Sequence, residues 1–131
     1  MNFFISLGMN GKSDEDVLVR MDYIRECINE AWGSLANRNE VNIIDTFIKE
    51  DPPKEAERMA QKRVWYLGDS IKLMHKADVI IFDTDFPEYS GCKIEYMVAE
   101  EYGFASYWIS PIGSIVPMQE FIEWAQKTRG V

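Results

Sequence analysis

Residues 77–103 read ADVIIFDTDFPEYSGCKIEYMVAEEYG, and their pattern decides the fold. The run 79–82 is apolar and β-branched, the signature of a short buried strand. It stops at Asp83, Thr84 and Asp85, and Pro87, Ser90 and Gly91 then mark a loop. Ile94, Val98 and Tyr102 recur at helical spacing with Met97 alongside, and Gly103 is a fitting helix stop. The stretch is therefore strand, loop, helix. Two acids close the strand, and Glu95 falls in the opening turns of the helix. In an open α/β sheet, ligands bind at the carboxyl ends of the strands, where these acids stand.

Working outward, residues 2–7 form an apolar first strand, broken by Gly8, Met9, Asn10, Gly11 and Lys12. Ser13 suits a helix N-cap, with Asp14, Glu15 and Asp16 in the first turn, where the helix dipole favours negative charge. Val17, Leu18, Met21, Ile24, Ile28, Ala31 and Leu35 keep helical spacing behind it. Residues 37–40 are a polar connection and 41–47 a second strand, with Asp45 near its end and Pro52 and Pro53 closing the element. Residues 55–76 are helical, with Gly68 a candidate break. A third strand (78–82), a third helix (91–102), a fourth strand (104–109), a loop (110–113) and a last helix (117–127) complete the chain.

This alternation predicts a three-layer α/β sandwich, flavodoxin-like or Rossmann-like. Right-handed crossovers put helices on both faces of a parallel sheet of four or five strands, in the order 2-1-3-4. The 131 residues hold no linker and no repeat, so a single domain spanning 1–131 is expected. Hydrophobic residues make up 47% and aromatics 13%, which argues for a packed core. The net charge of −8 argues against a nucleic-acid partner. No membrane-length apolar run and no leader pattern are present, so a cytoplasmic location is expected. The two cysteines, Cys27 and Cys92, read as free thiols. With His75 the only histidine, set late in a helix, no zinc site is expected.

Several groups are candidates for chemistry. A carboxylate at Glu95 facing a sugar C1′ would stabilise an oxocarbenium-like state and can form a covalent glycosyl ester; the plain alternative is a solvated helix glutamate. Asp83 and Asp85 are suited to hold hydroxyls or protonate a leaving base, or else are turn formers bonded to their own backbone. They alternate with Thr84, so they point to opposite sides if the strand continues. Asp78 opens its strand and belongs at the far edge from any such site. The glycines of the first loop, Gly8 and Gly11, let backbone N–H groups approach a ligand, and Asp45 is a possible pocket acid. Cys92, near a helix start, is a candidate for a lowered thiol pKa.

Ala77-Asp78, the acids at the strand end, the run Ser90-Gly91-Cys92-Lys93-Ile94-Glu95 and the closing Tyr102-Gly103 resemble the nucleoside 2-deoxyribosyltransferase-like family. The 3–6 strand and the Met9-Asn10-Gly11 loop are similar too, and the likeness covers most of the chain up to about Gly103. It is greatest to small members from phages and bacteria. The resemblance implies cleavage or exchange of the N-glycosidic bond of a nucleoside or nucleotide, with Glu95 as nucleophile, Asp83 or Asp85 in support, and no cofactor or metal. It implies a pocket lined by Ser6, Gly8, Met9, Asn10, Gly11, Asp45, Tyr66, Asp69, Ser90, Gly91 and Cys92, with Ser6 at the sugar and Asn10 at the base edge. It also implies a homodimer or higher homo-oligomer, in which Trp108 and Trp124 of the C-terminal segment are candidate contacts. The alternative is a non-catalytic binder, a sponge for a nucleotide or an ADP-ribose-derived signal, acting in a host cytoplasm if viral. Lys93 departs from the family pattern: it would either pair with Glu95 or bind a phosphate.

Overall fold

The structure, a computed structural model, describes residues 1–33, 41–46 and 51–129. Among these residues, five strands and four α-helices follow in the order β1 (Asn2–Ser6), α1 (Asp14–Trp32), β2 (Asn42–Ile43), α2 (Met59–Leu73), β3 (Val79–Phe82), α3 (Ser90–Glu101), β4 (Ala105–Ile109), β5 (Ile115–Pro117) and α4 (Met118–Arg129). The sheet order is β2-β1-β3-β4-β5. The first four strands run parallel, but β5 pairs antiparallel with β4, placing Trp108 opposite Val116. The sheet is therefore mixed and longer than the all-parallel 2-1-3-4 arrangement. The reason is local. Ser110 N donates to Ser114 O at 2.8 Å, Gly113 takes φ +85°, and the chain folds back as a hairpin instead of passing straight into the last helix.

Strand alternation divides the core. Phe3, Ile5, Val79 and Ile81 face α1, whose Val17, Met21, Ile24 and Ile28 are buried against them. Phe4, Ile80 and Phe82 face the opposite layer, where Cys92 and Ala99 of α3, Met118 of α4 and the partly buried Ile71 and Leu73 of α2 pack. The connection β1-α1-β2 moves to one side of β1 and β2-α2-β3 returns to the other. Right-handed crossovers in opposite directions require helices on opposite faces. The carboxyl ends of β1 and β3 thus lie side by side at a reversal of strand order, the place where open α/β sheets bind ligands.

Caps follow the sequence closely. Ser13 Oγ accepts from Asp16 N at 3.1 Å, satisfying one free donor at the start of α1. At the other end of α3, Gly103 at φ +75° donates to Glu100 O and Phe104 N donates to Ala99 O, the paired bonds of a Schellman stop. Other expectations need correction. α2 runs unbroken through Gly68, and a short 3-10 turn, Met74–Lys76, carries the exposed His75. β2 has only two paired residues, and Leu35, 37–40 and Phe47 lie outside the described residues. Trp108 is committed internally: its ring stacks on Phe121 at 4.4 Å and its Nε1 donates to Thr84 O. Among the described residues, no helix is long and apolar enough to cross a membrane.

Because β3 is buried from end to end, Ile80→Ala is expected to cost about 2–5 kcal/mol in urea unfolding. Val64→Ser, on the exposed side of α2, is expected to change stability by no more than about 0.5 kcal/mol.

Candidate active site

The apolar spacing of α3 suggests that Ile94, Val98 and Tyr102 face inward. The structure turns the helix otherwise. Its buried stripe is Cys92, Glu95 and Ala99, while Ile94 and Tyr102 are 38% and 77% exposed. A glutamate occupies a core position because the opposing surfaces supply hydroxyls. Ser6, the last residue of β1, points to the α3 side of the sheet by strand alternation, and its Oγ donates to Glu95 Oε1 at 2.9 Å. Ser70 Oγ, from α2, donates to Glu95 Oε2 at 2.7 Å. Three segments far apart in sequence therefore meet on one carboxyl group, which is only 5% exposed.

Burial pushes the Glu95 pKa above the usual carboxylate range, opposed by the hydroxyls of Ser70 and Ser6. Glu95 sits in the second turn of α3, and there desolvation outweighs any help from the helix dipole in keeping it ionised. Cys92 is shifted the same way. Burial pushes its thiol up to about 12, despite a hydrogen bond with Ser6, and the nearby Glu95, Asp85 and Asp83 add to the rise. The expectation of a lowered thiol pKa at the helix start is overturned, and Cys92 is an inert core thiol near pH 7.

The acids after β3 take separate paths, because the strand ends at Phe82 and the chain turns. Asp83 is buried, and its Oδ1 accepts from Arg20 Nη2 at 2.7 Å, Arg20 Nε at 3.0 Å and Thr84 N at 2.8 Å. Thr84 Oγ1 donates to Ile109 O, tying this turn to the end of β4. Asp83 is therefore the anchor of α1 to the turn, and it bonds its own backbone as a turn former does. Asp85 is half-exposed and meets Lys12 Nζ at 3.4 Å. Lys12 also lies 4.8 Å from the centre of the Tyr89 ring. Partial burial alone would lower the Lys12 pKa, but the Asp85 charge and Tyr89 outweigh it and raise it. The Tyr89 ring lies directly on Gly8, leaving no room for a Cβ there. Lys12, Tyr89 and Asp85 thus clamp the first loop over the turn after β3.

The remaining candidates are spread around this edge. Met9, Asn10 and Gly11 are exposed at the loop tip, with Gly11 at φ +80°. Ser90 is exposed at the start of α3, and Gly91 is half-buried against α2, near Leu67. Asp69 is half-buried beside Ser70, and Tyr66 is part-exposed with its ring edge-on to Trp65. Asp45 is exposed just beyond β2. Lys93 is exposed, so the bonds of Glu95 go to serines and not to it. Asp78 lies at the opposite edge, where its Oδ2 accepts from Asn2 N at 2.7 Å. Ser70, Arg20, Lys12 and Tyr89 were missed from sequence. Only Ser70 carried a signal, as the neighbour of Asp69 in the Trp65–Ser70 segment. Among the described residues, no group of three His, Cys, Asp or Glu side chains converges as metal ligands.

The chain was compared with protein-family models, curated proteins and solved structures, and none of them matches it.

The raised Glu95 pKa carries a definite sign. The folded state holds this proton more tightly than the unfolded chain, so the associated stability is full below the unfolded value of 4.5. It is lost as pH rises from there through the folded pKa. Urea titrations across pH are therefore expected to show Glu95→Gln gaining on wild type as pH rises through that window, with a constant difference above it. For the pair of half-buried Arg20 and buried Asp83, Arg20→Ala strands Asp83 and is expected to cost about 3 kcal/mol, whereas Arg20→Met with Asp83→Leu recovers most of the loss.

Proposed function

We propose that the protein breaks or exchanges the N-glycosidic bond of a nucleoside or nucleotide, with Glu95 as the nucleophile. One observation carries this reading: a buried carboxyl group at the switch point of the sheet, oriented through both oxygens by Ser6 and Ser70. Buried carboxyl groups are costly, and those with raised pKa values cluster at reactive sites. The motif around Ser90, Gly91 and Glu95, with its resemblance to the nucleoside 2-deoxyribosyltransferase-like family, points to the same chemistry.

In the first step a Glu95 oxygen bonds to C1′ as the C1′–N bond breaks. The bonding pair leaves with the base, which takes a proton from solvent. In the second step water or another base attacks C1′ from the opposite side, loses a proton to solvent, releases the carboxylate and restores the original configuration. The serine hydroxyls hold the carboxyl oxygens in place while charge moves from glutamate to ester and back. Attack requires the ionised form, so the rate rises with pH along a limb set by Glu95.

The second reading, a binder that does not turn its ligand over, draws on the same pair of bonds: both Glu95 oxygens are already engaged. Incubation with a panel of deoxynucleosides, nucleoside monophosphates and a free acceptor base, followed by chromatography, separates the two. The enzyme reading expects released or exchanged base, and a loss of at least about a thousandfold in rate for Glu95→Gln, on the scale of removing a covalent nucleophile. Tight binding with the ligand recovered intact would establish the binder. No release and no exchange across the panel, with Glu95→Gln equal to wild type, would end the catalytic reading.

A further inference from the structure

Among the described residues, only two buried side-chain oxygens lack a hydrogen-bond partner: Thr46 Oγ1 and Asp85 Oδ1. Both follow the carboxyl ends of strands, Thr46 after β2 and Asp85 after β3, and these two strands flank β1. Thr46 is the more telling of the two, because the whole residue is only 4% exposed. Buried hydroxyls are ordinarily bonded, and an orphan at a sheet edge calls for a specific explanation.

Register supplies one. Phe3 stands opposite Ile43, and Ile44 N donates to Phe3 O at 2.9 Å, so the pairing carries on past the short strand. Ile43 joins the α1-side core with Phe3, and Ile44 joins the opposite core with Phe4. The strand itself ends at Ile43; carried on in the same register, the chain would bring Thr46 level with Ser6 on the Glu95 face. One orphan oxygen thus follows the strand on each side of β1, whose last residue, Ser6, bonds Glu95.

We propose that Thr46 is a ligand-contacting residue. Its hydroxyl bonds a neutral donor or acceptor group of a ligand lying across the carboxyl ends of β2, β1 and β3, and the far side of that ligand donates to Asp85 Oδ1. The assignment rests on the nucleoside reading above and narrows it. A carboxylate oxygen only accepts, and the Lys12 ammonium is already paired with the other oxygen of Asp85, so the group that meets Asp85 Oδ1 is a hydroxyl or an amine and not a phosphate. The partner of Thr46 is then either a sugar hydroxyl or the edge of the base.

The test uses Thr46→Val, which removes the hydroxyl and keeps the shape. In the unliganded full-length protein, the melting temperature is expected to hold or rise, since an unbonded buried hydroxyl is lost. Calorimetry in a Glu95→Gln background, which breaks no bond, then measures 2′-deoxyadenosine, 2′-deoxyadenosine monophosphate and adenine with and without Thr46→Val. The expected result is preferential binding of the nucleoside over its monophosphate, with Kd weakened about three- to tenfold by Thr46→Val. A loss shared by adenine assigns Thr46 to the base edge, and a loss confined to the nucleoside assigns it to the sugar. A marked fall in melting temperature, or an unchanged Kd in a background that binds the nucleoside, overturns this assignment and leaves the Glu95 reading standing. Absence of binding to all three probes in the Glu95→Gln background overturns this assignment, while the nucleoside panel above decides the Glu95 reading separately.

Discussion

A carboxyl group moved from water into a protein interior loses several kcal/mol of hydration unless it is bonded or protonated. Glu95 meets this demand with two serine hydroxyls drawn from β1 and α2. The orientation of α3 follows from those bonds as much as from apolar burial, because the helix leaves Ile94 and Tyr102 outside to keep Glu95 in. This single constraint joins the first strand, the second helix and the third helix. It also places a carboxyl group beside the carboxyl end of β1, where the strand order reverses.

The neighbouring acid is solved differently. Asp83 is equally buried but receives a guanidinium through two nitrogens, together with a backbone N–H. A charged partner compensates the anion, whereas neutral hydroxyls compensate it only in part, and burial still raises the Glu95 pKa. Two carboxyl groups on adjacent elements are thereby held differently: Asp83 ties α1 to the turn after β3, and Glu95 is bonded by neutral hydroxyls alone. Cys92 shares the second environment and is silenced by it.

Around the pair, the first loop is held down by contacts that need particular residues. Gly8 accepts the Tyr89 ring where any side chain would collide with it, and Lys12 reaches Asp85 from the same loop. These contacts fix the first loop against the turn after β3. The mixed edge formed by β5 lies at the other end of the sheet order, where the hairpin through Gly113 covers the flank of β4.

Local chemistry in the chain determined a great deal. Alternating apolar runs, the Ser13 cap and the Gly103 stop set the strands and helices, because hydrophobic period, N-cap preference and tolerance of positive φ act over a few neighbouring residues. The candidate glutamate was legible too, from its place after a strand and a glycine-bearing loop. Tertiary structure alone decided the rest. Apolar periodicity pointed α3 the wrong way, since no local rule says that Ser6 and Ser70, distant in sequence, will converge and make a buried carboxyl group tolerable. Nor does local pattern reveal that Arg20 claims Asp83, or that a three-residue run after Gly113 folds back on β4. Burial and partnership are properties of the assembled chain, and they set which acid anchors α1 through a guanidinium and which is held by neutral hydroxyls.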